Sequence, residues 1–426
     1  MAEAEFDASI LHETEEPTGS PFEGHIPGLV GELADFNLRS ARRPNRGMAN
    51  IAALAAISTI GGRLVAGPTG LSTSLYFLIL GATTIGKQHQ IDCVHCFLDK
   101  AGCGNMIGPS GFASMQGLQA EIAERPCFLS IIDEFGDFLT MATSERGSGY
   151  QQALIQELNK LFTAGFGPYR GIRSKKDEAS VVLGPCLVLM GVSTYQQFFD
   201  ALKSRFTANG FLNRLLIAAA SPKTADRNPE HALDAMPFQL FEALQRTRSW
   251  ASDNGKEPHV VGQSISPRRR LRWGAGTEDI YRQLSAKMDE PPDEELKGRI
   301  AEIALRTAQD IAIGRRSEWV SYEDMVWGRD LALNSLATLQ DGIKKYGKDE
   351  RDYPTLCADI AARVQGAGFV SHRDLSREFG RNMRGKLFFD QAIKQLLEEG
   401  RLTHASRRPP GGGKDSHGYE WSGNGP

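Results

Sequence analysis

Apolar positions along the chain fall into two alternating patterns, one with helical spacing and one of short unbroken runs. From about Pro27 the spacing is helical: GLVGELADFNLRSA repeats apolar residues three and four apart, and the Ala/Ile-rich stretch Met48 to Ile60 reads as a buried helix. Two short runs follow, Leu64 to Ala66 and Leu75 to Leu80. The second is dense in Tyr, Phe, Leu and Ile and has the length of a central strand. Helical spacing resumes to Lys100 and again over roughly Gly111 to Ala123, and the apolar run CFLSII then ends on Asp133 and Glu134. Next come a helix from about Tyr150 to Phe162, the loop TAGFGPYRGIRSKKDEAS, a third run VVLGPCLVLMGV ending at Ser193 and Thr194, a helix to about Arg205, and a fourth run RLLIAAA. Strands this continuously apolar, separated by helices, predict an α/β fold with a mostly parallel sheet covered by helices.

Beyond this region the pattern loosens. Residues 225–276 are mixed and partly polar, with PRRRLRW as a basic knot, and 277–346 read as two or more helices. Residues 351–426 change character again: three short helical patterns, then two β-like pieces around RRPPGGGKDSHG. The division expected is an acidic flexible tail at 1–24, an N-terminal helical region at 25–66, a core at 67–224, a helical lid or extension at 225–346 and a small C-terminal domain at 351–426. No repeat of solenoid period is present.

Composition adds little global bias. The 426 residues carry 49 basic and 52 acidic side chains, a formal net charge of -3, so any contact with a polyanion must be local. Residues Glu3, Glu5, Asp7, Glu13, Glu15 and Glu16 make the first segment a solvated tail, with a partner-docked one as the alternative. Six cysteines are too sparse for a secreted disulfide framework, and the chain shows neither a signal-like start nor a membrane-length apolar stretch; a cytoplasmic protein with no membrane contact is expected.

The candidate chemistry begins where the second run ends, on GATTIGKQ. The spacing G-x-x-x-x-G-K between an apolar strand and a helix predicts a P-loop. There the main chain of Gly81, Thr83, Thr84, Ile85 and Gly86 curls round the phosphates of ATP, and the ammonium of Lys87 reaches their oxygens. Gln88 stands where Ser or Thr would hold magnesium; its amide is a poorer ligand, so Mg2+ is expected on Asp133 with help from Gln88, water, Thr83 or Thr84. The alternative is an ordinary Gly-rich turn. Asp133 lies 46 positions after Lys87 at the end of an apolar strand, the place for a metal-binding carboxylate, and Glu134 follows as the base that polarises the attacking water. Ser193 and Thr194 end the third run and put a hydroxyl where it senses the terminal phosphate. Arg214 opens the fourth run, placed to reach the phosphate of a neighbouring subunit, or to lie as a surface arginine. Arg299 and Arg306 on GRIAEIALRTAQDIA are candidates for a sensing role from a lid, against a solvated helix face.

The ordered set PGLVGELADF, GPTGLSTSLYFLILGATTIGK, LSIIDEFGDFL, GVSTYQQFFDAL and GFLNRLLIA, over roughly residues 25–340, resembles an ATPase family of phages, prophages and other mobile elements often labelled as helicase or primase-associated. The resemblance implies a RecA-like or AAA+-like core, a hexamer, and action in DNA replication. It maps the phosphate-loop lysine to Lys87, the acidic pair to Asp133 and Glu134, the polar strand end to Ser193 and Thr194, and the arginine after the GFL turn to Arg214. Gln88 departs from the family's pattern.

Two further segments suggest DNA. The loop PYRGIRSKKDEAS gathers Arg170, Arg173, Lys175 and Lys176 with Tyr169, which in a ring would grip phosphates of single-stranded DNA and stack on a base. Residues 351–426 resemble a winged helix, with Arg384 and Lys386 at the start of a recognition helix and Arg407, Arg408 and Lys414 along the wing. Cys93, Cys96 and Cys103 with His89 and His95 invite a zinc reading, but the spacing lies within and just after a helix and lacks a clear fourth ligand; buried or surface thiols are expected instead. The function that emerges is an ATP-hydrolysing motor that translocates on or unwinds DNA as a homo-hexamer, with a primase or initiator as a further partner. The alternative is a nucleotide-switched initiator, loader or regulator with little unwinding.

Overall fold

The run Tyr76–Leu80 (β1) is buried at every position, as an unbroken apolar strand covered on both faces must be. The structure is a computed structural model that describes residues 20–143, 149–171, 181–202, 210–220, 227–252, 255–262, 265–290, 294–346, 353–380, 383–408 and 415–422. In it β1 is joined by Cys127–Ile132 (β2), Cys186–Ser193 (β3) and Leu215–Ala219 (β4) in one parallel sheet of order β2-β3-β1-β4. Tyr76 is level with Leu189 and Leu215, and Leu80 with Ser193 and Ala219, so the carboxyl ends of the strands share one edge. The fold is α/β, as the alternation predicts.

The helices flanking this sheet are Leu29–Ser40 (α1), Arg46–Gly61 (α2), Lys87–Lys100 (α3), Met115–Glu124 (α4), Phe135–Thr143 (α5), Gly149–Thr163 (α6), Tyr195–Ala201 (α7), Phe238–Ser252 (α8), Thr277–Met288 (α9), Ile300–Gly314 (α10) and Tyr322–Tyr346 (α11). In α2 the Asn45 side chain caps the first turn by accepting from the Met48 N–H at 3.0 Å, and every residue from Gly47 to Gly61 is buried. A helix that is apolar all round belongs in an interior, and α2 takes that place. α10 is buried along its whole length too, although it carries Glu302, Arg306, Gln309 and Asp310. It packs on α11 so closely that a Cβ at Gly328 would strike the Ala304 carbonyl. One apolar core runs from Phe22 to Ile343 and therefore joins the N-terminal helices, the sheet and the helices after it; a second runs from Leu356 to Tyr419.

Two segments differ from their expected form. VVLGPCLVLMGV is not one strand: Gly184, at φ +52, and Pro185 break it, and Val181–Leu183 pairs antiparallel with Pro168–Arg170 in a hairpin. The basic knot PRRRLRW is built into the framework. Arg269–Arg270 pairs with Val65–Ala66 and Arg272–Trp273 with Trp319–Val320, while the Arg269 guanidinium lies 4.6 Å from the Trp250 ring and 3.2 Å from Glu318.

The second core holds the helices Tyr353–Ala367 (α12), His372–Phe379 (α13) and Met383–Glu398 (α14) on an antiparallel sheet in which Ser416–Trp421 lies between Phe369–Ser371 and Leu402–Arg407. Ser371 caps α13, accepting from the Asp374 N–H at 3.1 Å. Among the described residues no helix is long and apolar enough to cross a membrane. The acidic residues expected in the tail lie outside the described residues.

Candidate functional site

The site is built from the two loops that leave β1 and β2 at the carboxyl edge. Gly81 extends the sheet by one bond, its N–H donating to the Ser193 carbonyl at 3.1 Å, and the chain then turns through Thr83, Thr84 and Ile85 into α3. Gly86, the residue before α3, sits at φ +92, a left-handed conformation that glycine adopts without strain. It offers no side chain to cap α3, so the first N–H groups of that helix lack intrahelical partners at the site. The Lys87 ammonium curls back to donate to the Gly81 carbonyl at 3.4 Å. Burial pushes its pKa below the ordinary lysine value, opposed by the charges of Asp133 and Glu134.

Asp133 follows β2 and is exposed, as is Glu134. The Glu134 N–H donates to Asp133 Oδ1 at 2.9 Å, which ties the acidic pair into a tight turn. Glu134 adopts φ +53 and Thr84 φ +73. Left-handed conformations are costly for residues with a Cβ, and among the described residues only Arg316 shares them; two of the three positions lie in these two loops. Ser193 joins the loops. Its carbonyl takes the Gly81 N–H, and its buried hydroxyl accepts from the Gly136 N–H at 3.3 Å. Thr194 caps α7, accepting from the Gln197 N–H at 3.2 Å and donating to Gln197 Oε1 at 2.9 Å. Both hydroxyls stand at the expected edge, and both bond to main chain or side chain there.

A cavity of about 700 Å³ opens at this edge, lined by Arg42, Arg43, Thr84, Gly86, Lys87, Gln88, His89, Asp92, Asp133, Arg227 and His231. Lys87 and Asp133 therefore face one space, although they come from different loops. Gln88 is exposed and its amide donates to Asp92 one turn along α3 at 3.0 Å. The arginines of this cavity escaped the sequence reading, which sought them at positions 214, 299 and 306. Arg42 and Arg43 belong to the basic stretch RSARRPNR before the Ala-rich helix, whereas Arg227 stands alone among polar residues in TADRNPE.

The sought arginines lie elsewhere. Arg214 immediately precedes β4, whose first residue is level with Tyr76; a five-residue strand spans roughly 16 Å, and that length separates Arg214 from the Lys87 edge. It is buried, donates to the Gly210 carbonyl and to Asn213 Oδ1, the latter at 3.2 Å, and lies 5.7 Å from the Phe162 ring. Burial lowers its pKa to about 10. Arg306 is wholly buried at the same amino edge. It donates to the carbonyls of Ser72 (3.2 Å), Ser74 (2.5 Å) and Phe162 (2.8 Å) and pairs with Glu302 at 2.6 Å. It is neither a lid sensor nor a solvated residue, because α10 faces the core on all sides. Arg299 pairs with the same Glu302 at 2.6 Å.

The DNA candidates divide in the same way. Tyr169 is buried and its hydroxyl donates to Glu157, so it is not available for stacking on a base. Arg170 is exposed. Arg173, Lys175, Lys176 and Lys414 lie outside the described residues, as do the side chains of Arg384 and Lys386, whose backbone opens α14. Arg407 is held by Glu420 at 2.6 Å and lies 5.2 Å from the Phe369 ring, while Arg408 is exposed. Of the thiols, Cys93 packs with its Sγ 3.2 Å from His89 Nε2, and burial pushes the pKa of Cys93 up to about 12 and of Cys103 to about 11. Among the described residues, no three His, Cys, Asp or Glu side chains converge as metal ligands.

No protein-family model matches this chain, and no curated protein matches it.

Proposed function

We propose that the carboxyl edge of the sheet binds ATP with Mg2+ and hydrolyses it, and that the chain couples this cycle to DNA as a ring of copies. One observation carries the reading: the loop ending in Lys87 and the turn bearing Asp133 line a single cavity at the edge of a parallel sheet, with β3 set between their two strands. This juxtaposition supports reading the sheet as a P-loop core of RecA or AAA+ type. Main-chain N–H groups of the Gly81–Gly86 loop and the start of α3 take the phosphates, and Lys87, partly stripped of water, supplies a point charge to them.

The residues present fit magnesium through oxygen donors: the exposed Asp133 carboxylate with the exposed Thr83 and Thr84 hydroxyls. Gln88 fits less well, since its amide engages Asp92. Bound magnesium draws charge from the phosphate oxygens. Glu134, exposed beside Asp133, takes the proton of the attacking water. Ser193 holds the two loops in register. The three helices and hairpin at 353–422 read as a winged helix that contacts duplex DNA through Arg384, Lys386 and Arg408.

The second reading, a nucleotide-switched initiator, loader or regulator, gains from two observations. Gln88 is engaged along its own helix, and Arg214 is buried at the far edge, so neither contributes to fast hydrolysis in this conformation. The test is ATP hydrolysis with and without single-stranded DNA, unwinding of a forked duplex by the wild type and Glu134→Gln, and the mass of the assembly with and without ATP. A motor shows DNA-stimulated hydrolysis and unwinding that Glu134→Gln abolishes. A switch binds duplex DNA and hydrolyses slowly. Absence of nucleotide binding overturns both.

A further inference from the structure

The three arginines expected to meet the nucleotide are Arg214, Arg299 and Arg306; the first and last are buried at the amino edge and the second is paired with Glu302. The cavity beside Lys87 nevertheless holds three other guanidinium groups, from Arg42, Arg43 and Arg227. We propose that these three form a clamp, within one chain, for the polyphosphate of the nucleotide. The inference rests on the nucleotide reading of the same cavity and adds residues that reading did not contain.

Three observations support it. First, the clamp is assembled from two distant parts of the chain that are fixed to each other. The Asn228 N–H donates to the Arg42 carbonyl at 2.9 Å and its side-chain amide to the Arg39 carbonyl at 2.7 Å, so Asn228, next to Arg227, is pinned to the end of α1 and the connection that follows it. That connection is anchored by the Asn45 cap of the buried helix α2, and it approaches the phosphate loop closely: a Cβ on Gly86 would lie 3.5 Å from the Arg43 carbonyl. Second, among the described residues none of the three guanidinium groups makes an ion pair or hydrogen bond, whereas Arg214, Arg306 and Arg407 each do. Third, the cavity sets four cations, these three and Lys87, against two carboxylates, Asp92 and Asp133. Like charges crowded into a space of about 700 Å³ repel one another, and a bound polyanion relieves that repulsion. Guanidinium groups are suited to the role because they meet phosphate oxygens in bidentate fashion.

The ligand class is an oligophosphate, and the terminal nucleoside is not what these residues recognise. The experiment is titration of the full chain with ATP and, separately, with inorganic tripolyphosphate, both with magnesium, over a range of salt. The proteins are the wild type, Arg42→Ala/Arg43→Ala, Arg227→Ala and Lys87→Ala. Arg42 and Arg227 are exposed and the Asn228 bonds go to main-chain carbonyls, so the arginine variants keep the fold, which the unfolding midpoint without ligand checks. The double variant is expected to weaken both ligands by about tenfold or more, and Arg227→Ala by about threefold or more, with a shallower salt dependence in each. If ATP weakens but tripolyphosphate does not, the guanidinium groups hold the base or ribose and the clamp is overturned. If only Lys87→Ala loses binding, the clamp fails and the nucleotide reading stands. If all variants bind as the wild type does, both fail.

Discussion

At the amino edge of the sheet, Arg306 is stripped of water and donates to three carbonyls and a carboxylate; at the carboxyl edge, the guanidinium groups of Arg42, Arg43 and Arg227 have no ion-pair or hydrogen-bond partner among the described residues and stand beside a cavity. The residue type is the same and its physical state is opposite. A buried arginine whose two terminal nitrogens are engaged by the protein presents neither of them to a ligand, and removing it strands the groups it served. An arginine with open donors at a cavity contributes little to the fold and much to an anion that enters. Backbone strain also gathers at the carboxyl edge, where Thr84 and Glu134 supply two of the three left-handed residues with a Cβ among the described residues.

The sharpest way to break this comparison is Arg306→Met. It leaves Glu302 with Arg299 alone and takes the donor from the carbonyls of Ser72, Ser74 and Phe162, and the expected loss of stability is about 3–5 kcal/mol in chemical denaturation. A variant as stable as the wild type but unable to bind nucleotide would place the function at the amino edge instead. Next comes Lys87→Ala, expected to weaken ATP binding by about a hundredfold, roughly 3 kcal/mol, with an unfolding midpoint close to that of the wild type. A large fall in the midpoint with unchanged affinity would make Lys87 structural.

Asp310 sharpens the comparison through pH. It is wholly buried at the amino edge near Arg306 and Cys186, and burial pushes its carboxyl well above the ordinary Asp value of 3.8. The folded chain thus holds a proton that the unfolded chain releases above that value, so this contribution to stability is complete below pH 3.8 and is lost as pH rises through the folded-state pKa. Asp310→Asn mimics the protonated form. Near pH 4 it should match the wild type, and at pH 8 it should exceed it by about 1–3 kcal/mol in urea unfolding. Parallel curves for the two proteins would show that Asp310 is ionised in the fold. The smallest effect is expected for Glu134→Gly, which relieves the positive φ: stability rises by about 0.5–1 kcal/mol while ATP hydrolysis disappears. A gain in stability with hydrolysis intact would remove Glu134 from the chemistry.

Much of the framework was legible in the chain. Short runs such as YFLIL and CFLSII have the length and composition of strands buried on both faces, and the glycines and lysine after the first, with the carboxylates after the second, are readable because they are local to strand ends. Local signals also mislead. RIAEIALRTAQDIA looks like a helix with a charged face, yet α10 is enclosed on every side and its arginine is turned inward. Tyr169 sits in a loop by composition, but the break at Gly184–Pro185 lets a short hairpin form, and that hairpin carries the ring inside to Glu157.

What the amino-acid order determined by itself was the identity and order of the main parallel strands and the helices between them, the strand ends that carry Lys87, Asp133, Glu134 and Ser193, and the pairing of Lys87 with Asp133 as candidates for one site. Only the tertiary structure decided which arginines meet that site. Arg42 and Arg227 are far apart along the chain and are brought together by hydrogen bonds from Asn228 to the main chain of another segment. Such bonds depend on where a carbonyl lies in space and not on which side chain it follows, so they leave no mark in the pattern of residues.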